Sequence, residues 1–286
     1  MHLPLICAAC HGKLSRQTDS LQCLECGLSF RMIDGIPDME PPSLEEGIKN
    51  SILAWENINY DYDVELMKAS EERLKAIDEP LLSQVRGRVL DVGCGTGRLA
   101  KPVVELGGEY MGIDPSLKLL KKACDKGVTS VVRGVGEYLP FPNHCFDTIL
   151  GGFHSFRYLI LEKAYAEFGR VLKPEGILAF TLWNYWSLCL HTLSENVRAL
   201  KIPWMDFPPF PSPKGEEVCN DLVWFYGEKN RLQRKGFEVL SVLSTRRFPL
   251  FSRYMKWQSY WHGWFGSLIG YDVIIICKNR AQPAKA

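Results

Sequence analysis

The sequence predicts an α/β fold with a mostly parallel sheet, preceded by a small cysteine-rich module. Four cysteines in two Cys-x-x-Cys pairs lie within the first 26 residues, as in metal-bound segments too short to bury a core of their own. From residue 88, short apolar runs alternate with amphipathic segments, as strands and helices do in βαβ units. The chain of 286 residues is long enough for one large domain with a small appendage. We divide it into the cysteine-rich module over 1–40, a helical linker over 41–86 and the α/β domain over 87–286, with insertions at about 187–227 and 248–270.

The composition excludes several classes of protein. The chain is 46% hydrophobic and 23% charged, as globular proteins are. A membrane-spanning helix needs about 18 apolar residues, and the apolar run Leu268–Cys277 is broken by Gly270 and Asp272. The first residues lack the basic start and apolar core of a secretory signal, and ten cysteines without such a signal predict reduced thiols. We therefore expect a cytoplasmic protein without a transmembrane segment.

The net charge of +1 hides an uneven distribution. Residues 1–50 carry four Lys and Arg against seven Asp and Glu, and residues 51–227 carry nineteen against twenty-three. Residues 228–286 carry eleven against three, a net charge of +8. Because the basic charge is concentrated at the carboxy terminus, the small overall charge does not exclude an anionic partner.

The two cysteine pairs predict a structural zinc site formed by Cys7, Cys10, Cys23 and Cys26. Two residues between paired cysteines let both thiolates turn onto one ion, and two such pairs complete a tetrahedral shell. This shell leaves no open position, so the zinc stabilises the fold and does not activate water. Two chance pairs or a redox dithiol are the alternatives, although redox motifs usually occur singly beside a βαβ unit.

The residues around these cysteines resemble a particular zinc ribbon. The segments Cys7-Ala-Ala-Cys10-His-Gly-Lys-Leu and Leu28–Met39, which includes Asp34-Gly35-Ile36-Pro37, look like the small activator subunits of tRNA, rRNA and release-factor methyltransferases. The resemblance covers about residues 3–40. It implies a built-in version of the separate subunit, which packs on a catalytic domain and stabilises it. Because the ribbon is acidic, it is poorly suited to contact phosphates.

A glycine-rich turn follows the first strand of the α/β domain. The buried run from Arg88 leads into Asp91-Val-Gly93-Cys-Gly95-Thr-Gly97, and a helix is expected over Arg98–Leu106. Alternating glycines permit a tight turn and let a ligand approach the backbone. The loop lacks the G-x-G-x-x-G form of a dinucleotide site.

The second strand ends in an acidic residue, Asp114, where a carboxylate can bind the two hydroxyls of a ribose. Ser116 is then expected to cap a helix over Leu117–Lys126, which Gly127 ends. The spacing of the glycine loop and Asp114 predicts a nucleoside site without identifying the nucleoside.

The loop resembles motif I of the class I S-adenosylmethionine-dependent methyltransferases. Segments 130–141, 146–150 and 171–180 look like the later strand motifs of the ubiquinone-biosynthesis-like branch of that family. The resemblance implies a Rossmann-like, seven-stranded, mostly parallel sheet with S-adenosylmethionine as cofactor. In the family, the first acid of the loop faces the methionine amino group, and the acid after the second strand holds the ribose. The cofactor-binding residues implied here are Asp91, Gly93, Cys94, Gly95, Gly97, Asp114, Pro115, Gly136, Glu137 and Tyr138.

One position departs from the pattern of this branch. Where the branch usually has Gly-Asp-Ala-Glu, with the aspartate accepting from the adenine amino group, this chain has Gly134-Val135-Gly136-Glu137. Loss of one acceptor weakens an interaction by about 0.5–1.5 kcal/mol. Two other residues are expected to have structural roles. Cys94 is expected to be a small packing residue, and Asp147 is expected to fix the turn at the fourth strand.

The acceptor half carries weaker signals. Methyl transfer needs alignment and a dry pocket, and it needs a general base only where the acceptor must lose a proton. Residues 150–156 lack the Asn/Asp-Pro-Pro-aromatic motif that the family uses on nitrogen acceptors. Asp206–Phe210 resembles this motif only superficially, because it lies beyond strand five and carries an extra residue. His154 is the candidate base, with a hydrogen-bonded pocket residue as the alternative. After strand five, either the acceptor site is walled by Trp183, Tyr185 and Trp186 or these residues belong to the core. The methionine end of the cofactor is expected to be covered by Trp55, Tyr60 and Tyr62.

Residues 246–265 combine four basic with eight aromatic residues and contain no acid. A helix would gather many of these aromatics on one side. Three interpretations are open: stacking on RNA bases with phosphate contacts, a helix on an anionic membrane surface near a lipid-like acceptor, or a helix packed over the acceptor cavity.

The sequence thus predicts an S-adenosylmethionine-dependent methyltransferase with structural zinc that acts on a small or lipid-like acceptor. The proline-rich, apolar insertion over 187–227 is typical of a lid or binding loop and favours such an acceptor. RNA (rRNA or tRNA), bound through 246–265, is the alternative acceptor, and peripheral membrane contact stays open. A second alternative is a non-catalytic S-adenosylmethionine-binding or scaffold protein, which Val135 and the lack of a clear base permit.

Overall fold

The computed structural model describes residues 4–57, 63, 71–183, 225–244, 261–262 and 272–280. Of Trp183 only the backbone is described. The predictions outside the described residues concern most of 187–227 and of 246–265, together with Tyr60, Tyr62, Tyr185, Trp186 and Asp206–Phe210.

The amino-terminal module is a four-stranded antiparallel sheet. Its strands, in spatial order, are β1 (Leu14–Arg16), β2 (Ser20–Cys23), β3 (Ser29–Ile33) and β4 (Ile36–Pro37). The turn between β3 and β4 consists of Asp34 and Gly35, whose φ angles are 51° and 82°. Positive φ at both central residues matches the twist of a hairpin, which explains why Asp-Gly stands at this point of the sequence.

The α/β domain contains one eight-stranded sheet. Its strands are β5 (Arg88–Val92), β6 (Glu109–Asp114), β7 (Val131–Arg133), β8 (Phe146–Gly151), β9 (Leu172–Trp183), β10 (Phe237–Ser244), β11 (Trp261–His262) and β12 (Asp272–Asn279). The spatial order is β11-β10-β12-β9-β8-β5-β6-β7.

The pairing of these strands confirms the predicted mostly parallel sheet. All pairs from β7 to β9 are parallel, whereas β12 pairs antiparallel with both β9 and β10. Seven strands correspond to the expected sheet, and β11 adds two residues at its edge. A helix over 246–265 is therefore wrong for Trp261 and His262.

Helices cover both faces of this sheet. They are α1 (Glu46–Glu56), α2 (Glu71–Leu82), α3 (Ala100–Glu105), α4 (Leu117–Asp125), α5 (Leu161–Val171) and α6 (Phe225–Arg234), with a 3-10 helix at Ser155–Tyr158. Residues of α2, α3 and α4 share one core cluster, and residues of α5 and α6 share the other. The helix expected from Arg98 begins only at Ala100, and Ser116 caps α4 by accepting from the Leu119 amide at 3.3 Å. Within the described part of the chain, every helix is too short or too polar to cross a membrane.

The ribbon occupies a place on the sheet that a crossover helix would otherwise fill. The connection between β7 and β8, residues 134–145, contains no helix. The ribbon residues Phe30 and Met39 instead join the core cluster that contains Leu139 and Phe141 of this connection. Parallel sheets are covered on both faces. Here the ribbon covers one face near the edge of the sheet, and its residues are therefore part of the domain's core.

Two backbone contacts fix the ribbon in that place. The Ile6 amide donates to the Pro140 carbonyl at 3.0 Å, and the Met39 amide donates to the Arg133 carbonyl at 2.9 Å. Asp38 also forms an isolated parallel bridge with Arg133. The segment after β4 therefore runs along the free edge of β7 and covers it.

The Arg133 side chain joins the ribbon to the loop that follows β6. Its Nη1 donates to both carboxylate oxygens of Asp38 at 3.0 Å, and its Nη2 lies 2.9 Å from Glu40 Oε2. Its Nε donates to the Pro115 carbonyl at 3.1 Å and lies 3.8 Å from Glu56 Oε1. The side chain is only 17% exposed, so these contacts are little screened by water.

Replacing Arg133 with lysine should weaken the docking of the ribbon. Arg133→Lys keeps the charge but loses the forked donor set, which we expect to cost roughly 2 kcal/mol. Chemical denaturation gives the free energy of unfolding, and hydrogen exchange of the Met39 amide reports the docking itself.

Lys121→Ala is the matched control because Lys121 also joins the domain to the ribbon, through Asp34 at 2.7 Å, but both side chains are largely exposed. It should cost less than about 1 kcal/mol. Equal effects of the two substitutions would contradict the role given to Arg133.

Candidate active site

The glycine-rich loop lies where the order of the strands reverses. β6 and β8 flank β5 on its two sides, and the carboxyl end of β5 is therefore a topological switch point, where open α/β sheets bind ligands. Gly93 has a φ of 73°, and a Cβ on it would lie 2.5 Å from the Cβ of Ser155. Both the left-handed backbone and the neighbouring side chain require glycine at this position.

Asp91 is a buried carboxylate at the end of β5. It is 2% exposed, and its Oδ2 accepts from the hydroxyl of Tyr110 at 3.0 Å. Desolvation raises the pKa of Asp91 from 3.8 to about 7, although the Tyr110 hydrogen bond and the charge of Arg98 act in the opposite direction. A cationic group bound at this carboxylate would favour its charged form.

Asp114 organises the backbone between the glycine loop and α4. Its two oxygens accept from the amides of Gly95 at 2.8 Å and Ser116 at 2.9 Å. Burial raises the pKa of Asp114 to about 6, which these amide hydrogen bonds partly offset. Asp91 and Asp114 thus lie at the carboxyl ends of two neighbouring strands, next to the glycine loop, as the sequence predicted.

Glu56 of α1 lies beside Asp114 at the amino terminus of α4. Its Oε1 accepts from the Leu117 amide at 2.7 Å, and its negative charge contributes to the raised pKa of Asp114. A carboxylate at this position interacts favourably with the first amides of a helix. Sequence reasoning did not identify Glu56, because its partner lies on an element 61 residues away.

Glu137 accepts a hydrogen bond at the start of the helix that follows β8. Its Oε1 accepts from the Ile160 amide at 2.7 Å, whereas its buried Oε2 has no hydrogen-bond partner among the described residues. Burial raises the pKa of Glu137 to about 7. Val135 packs against Ile48 and Ile52 of α1, so the position of the missing aspartate is an apolar contact with the linker.

Other motif residues make contacts within the protein. Cys94 is 6% exposed and packs in the core, where a Cβ on Gly112 would lie 2.7 Å from its Sγ. The Tyr138 hydroxyl donates to Glu45 at 3.2 Å. Asp147 accepts from the Arg88 amide at 2.9 Å, so it links β8 to the first residue of β5, and its role in fixing the turn at the fourth strand stays a prediction.

The linker contacts the same edge of the sheet. Asp63 accepts from the Thr96 hydroxyl of the glycine loop at 2.6 Å and from Lys126 at 2.7 Å. Trp55 packs edge-to-face on Tyr158, with ring centroids 5.1 Å apart. The described part of the linker therefore lies against the loop that it was expected to cover.

His154 follows β8 at the same edge of the sheet. It is 1% exposed, and its Nε2 lies 3.0 Å from Oδ1 of Asp272, the first residue of β12. Its amide donates to the Thr181 hydroxyl at 2.7 Å. Asp272 was not identified from the sequence, although a single acid at the start of the apolar run 273–277 was a signal that could have found it.

Arg98 provides a positive charge close to these groups. Its guanidinium pairs with Asp78 of α2 and lies 6.0 Å from the ring centroid of Phe153. A Cβ on Gly152 would lie 3.3 Å from its Nη2. Asp91 and Arg98 therefore place opposite charges near the same loop.

The four amino-terminal cysteines form a compact cluster. Their sulfur atoms lie within 4.8 Å of one another, with 3.7 Å between Cys7 and Cys26 and 3.5 Å between Cys10 and Cys23. Four sulfurs bound tetrahedrally at about 2.3 Å from one zinc ion are roughly 3.8 Å apart. The cluster therefore has the dimensions of a single tetrahedral metal site, and the eight cysteines of the described residues are free thiols.

The segment that contains this loop matches a known family. Residues 90–180 match the family model of the methyltransferase domain. The chain is 38% identical over 170 residues to an uncharacterized protein of Methanocaldococcus jannaschii, covering 55% of this chain and 64% of that protein. It is 27% identical over 219 residues to the human mitochondrial ubiquinone biosynthesis O-methyltransferase, covering 73% of this chain and 54% of that protein. The chain thus spans less than two thirds of the length of these relatives.

Solved structures share the fold. An S-adenosylmethionine-dependent methyltransferase from Thermotoga maritima aligns with a TM-score of 0.56 at 21% identity, over 80% of this chain and 99% of that chain. A chain from a complex that contains the Haloferax volcanii Trm112 methyltransferase activator aligns with a TM-score of 0.52 at 16% identity, over 76% of this chain and 94% of that chain. Residues 90–180 therefore match a methyltransferase domain in sequence, and the solved structures share the fold of the chain.

Proposed function

We propose that the whole chain is an S-adenosylmethionine-dependent methyltransferase that binds its cofactor at the carboxyl ends of β5 and β6. The observation that carries the proposal is the pair of buried carboxylates, Asp91 and Asp114, on either side of a left-handed glycine loop. Asp91 would accept from the methionine ammonium group, and Asp114 would accept from the ribose hydroxyls.

The chemistry of the donor set fits this cofactor. Burial leaves Asp91 with a pKa of about 7, and a bound ammonium group would compensate for the lost hydration of its charge. The partnerless Oε2 of Glu137 is a buried acceptor, as an adenine amino group requires. The cofactor supplies a methyl carbon activated by positive sulfur, and the protein supplies alignment and exclusion of water.

For the acceptor, we propose a small or lipid-like molecule. The match to an O-methyltransferase of ubiquinone biosynthesis covers 73% of this chain, which includes most of the α/β domain. His154, the candidate base at this edge of the sheet, is 1% exposed, and a dry, enclosed site suits a small molecule better than a polyanion.

We further propose that the cysteine cluster binds one structural zinc ion and that the ribbon acts as a built-in activator subunit. Its sulfur separations match a closed tetrahedral site. The ribbon packs on the sheet through Phe30 and Met39 and pairs with Arg133. Arg133 also contacts the loop after Asp114, so docking of the ribbon and the shape of the ribose site are coupled.

Binding of S-adenosylhomocysteine should strengthen as the pH rises from about 5.5 to about 8 and then level off. Below its pKa of about 7 Asp91 is protonated and cannot pair with the ammonium group. Asp91→Asn should remove most of this dependence and weaken binding by about tenfold or more at pH 8. Calorimetry on the zinc-loaded protein gives both values, and Asp125→Asn, at an exposed site on α4, is the control.

The same substitution should stabilise the protein without ligand. Because the folded-state pKa of Asp91 is raised, the folded protein binds the extra proton between pH 3.8 and about 7, and stability falls as the pH rises through that window. The increase in the free energy of unfolding caused by Asp91→Asn therefore reaches its full value above pH 7. It should raise the Tm by a few degrees. Absence of binding by a folded, zinc-loaded wild type would refute the methyltransferase proposal.

Removal of the metal should unfold the ribbon and weaken cofactor binding. Metal binding contributes about 10–16 kcal/mol to the folding of such modules, and the ribbon covers part of the domain's core. Cys26→Ser should lose the metal, lower the Tm and reduce the affinity for S-adenosylhomocysteine. Cys124→Ser, on α4, should retain one zinc per chain by metal analysis. A protein without zinc that keeps full affinity would contradict the activator role.

Labelled methyl groups from S-adenosylmethionine should appear in the small-molecule or lipid fraction of a cell extract. The extract is fractionated after reaction into small molecules, lipid, RNA and protein. Label confined to RNA, lost on changing Arg246, Arg247 and Arg253 to alanine, would replace the proposed acceptor with RNA.

A further inference from the structure

His154 and Asp272 form a buried histidine–carboxylate pair that the proposed cofactor site does not use. Each is 1% exposed, and Nε2 of the imidazole lies 3.0 Å from Oδ1 of the carboxylate. The two residues come from separate elements, the loop after β8 and the start of β12, which meet at the carboxyl edge of the sheet. A negative charge beside one ring nitrogen favours the tautomer that carries its proton there.

The backbone that presents His154 is held in an unusual conformation. Phe153 and His154 have φ angles of 46° and 63°, a region that residues other than glycine rarely adopt in succession. The Thr181 hydroxyl accepts from the His154 amide at 2.7 Å and lies 3.4 Å from the Gly151 carbonyl, to which it donates. Such backbone conformations persist where the surrounding structure imposes them, and they cluster at functional sites.

The position of this loop places His154 beside the glycine loop. Ser155, the next residue, donates to the Val92 carbonyl at 2.8 Å and fills the space over Gly93. On the other side, a Cβ on Gly152 would lie 3.1 Å from Leu99. Residues on both sides of His154 are thus in contact with the segment proposed to hold the cofactor.

We infer that His154 is the general base for an acceptor hydroxyl and that Asp272 is its positioning residue. This inference rests on the proposed methyltransferase function. With its proton on Nε2, the nitrogen that lies next to the Asp272 carboxylate, the imidazole has its lone pair on Nδ1, which accepts the hydroxyl proton. The acceptor oxygen forms its bond to the methyl carbon as the carbon–sulfur bond breaks and its electron pair stays on sulfur. Asp272 stabilises the resulting imidazolium, which returns its proton to solvent when the product leaves.

The acceptor class follows from this chemistry. A neutral amine is nucleophilic before it loses a proton, whereas a phenol or enol hydroxyl becomes a good nucleophile only as its proton is removed. A base fixed by a carboxylate and kept from water therefore specifies O-methylation. In the described part of the chain, the charged groups next to this loop include Arg98, near Gly152, and Arg157, whose amide donates to the His154 carbonyl at 3.2 Å.

The first test determines the class of the product. The wild-type, zinc-loaded chain transfers labelled methyl groups to the small-molecule and lipid pools of an extract, and the products are treated with hydriodic acid. An aryl or enol methyl ether releases its label as methyl iodide and resists dilute alkali. Label that stays on nitrogen or carbon, or that dilute alkali releases as from a methyl ester, would overturn the inference.

The second test compares substitutions at the two residues. His154→Asn, whose side chain tolerates a left-handed backbone, should lower kcat about 100-fold at pH 7. Asp272→Asn should lower kcat about tenfold with little change in KM for the same pool. Both losses should shrink toward pH 9.5, because the hydroxyl then ionises without a base. A pH-independent loss, or full activity of His154→Asn, contradicts the assignment.

Two controls separate this inference from folding and from the proposed function. His144→Asn changes another histidine with a positive φ, 53°, whose Nδ1 lies 2.9 Å from the Leu172 carbonyl, and it should leave kcat unchanged. Calorimetry should give affinities for S-adenosylhomocysteine within twofold of wild type for His154→Asn and Asp272→Asn. If the wild type itself neither binds this ligand nor transfers a methyl group, the proposed methyltransferase function is wrong, and the roles of His154 and Asp272 fall with it.

Nuclear magnetic resonance of the chain labelled with ¹⁵N-histidine tests the pair without any acceptor. The resonances of His154, assigned by their loss in His154→Asn, should show a proton on Nε2 and none on Nδ1 at neutral pH. Asp272→Asn should shift the Nε2 resonance. The opposite tautomer in the wild type would leave no lone pair on Nδ1 and would overturn the proposed direction of proton transfer.

Discussion

The side chain of Arg133 holds together the three parts of the structure that meet at the edge of the sheet. Its guanidinium lies between the carboxylates of Asp38 and Glu40, which end the ribbon, and the carbonyl of Pro115, which follows the strand carrying Asp114. The interaction is strong because forked donors and carboxylates meet where little water penetrates. Without it, the ribbon would be held at the β7 edge by apolar contacts, a few backbone hydrogen bonds and the exposed Lys121–Asp34 pair.

The ribbon contributes residues to the hydrophobic core of the α/β domain. A parallel sheet needs cover on both faces, and here the module that carries the cysteine cluster supplies part of that cover over the β7–β8 connection. Phe30 and Met39 lie in the same cluster as Leu139 and Phe141. The cysteine-rich segment and the domain therefore share one core cluster, although their sequences follow unrelated patterns.

Local patterns predicted the parts of the site that local geometry determines. The alternating glycines, Asp114 at a strand end and the Ser116 cap each depend on neighbours within a few residues, and they lie where the sequence placed them. The contacts of Arg133 with Asp38 and of His154 with Asp272 join residues far apart in sequence. No periodicity encodes such pairs, because they arise only when the sheet order brings distant strands together.

The contact between Ser155 and Gly93 has a consequence for how such chains evolve. A Cβ at position 93 would overlap the side chain of Ser155 before it met any ligand, and the φ of 73° adds a second requirement that is independent of binding. Selection for folding alone would therefore preserve this glycine. A homologue without the proposed activity would still keep this glycine, whereas Asp91 would be free to change.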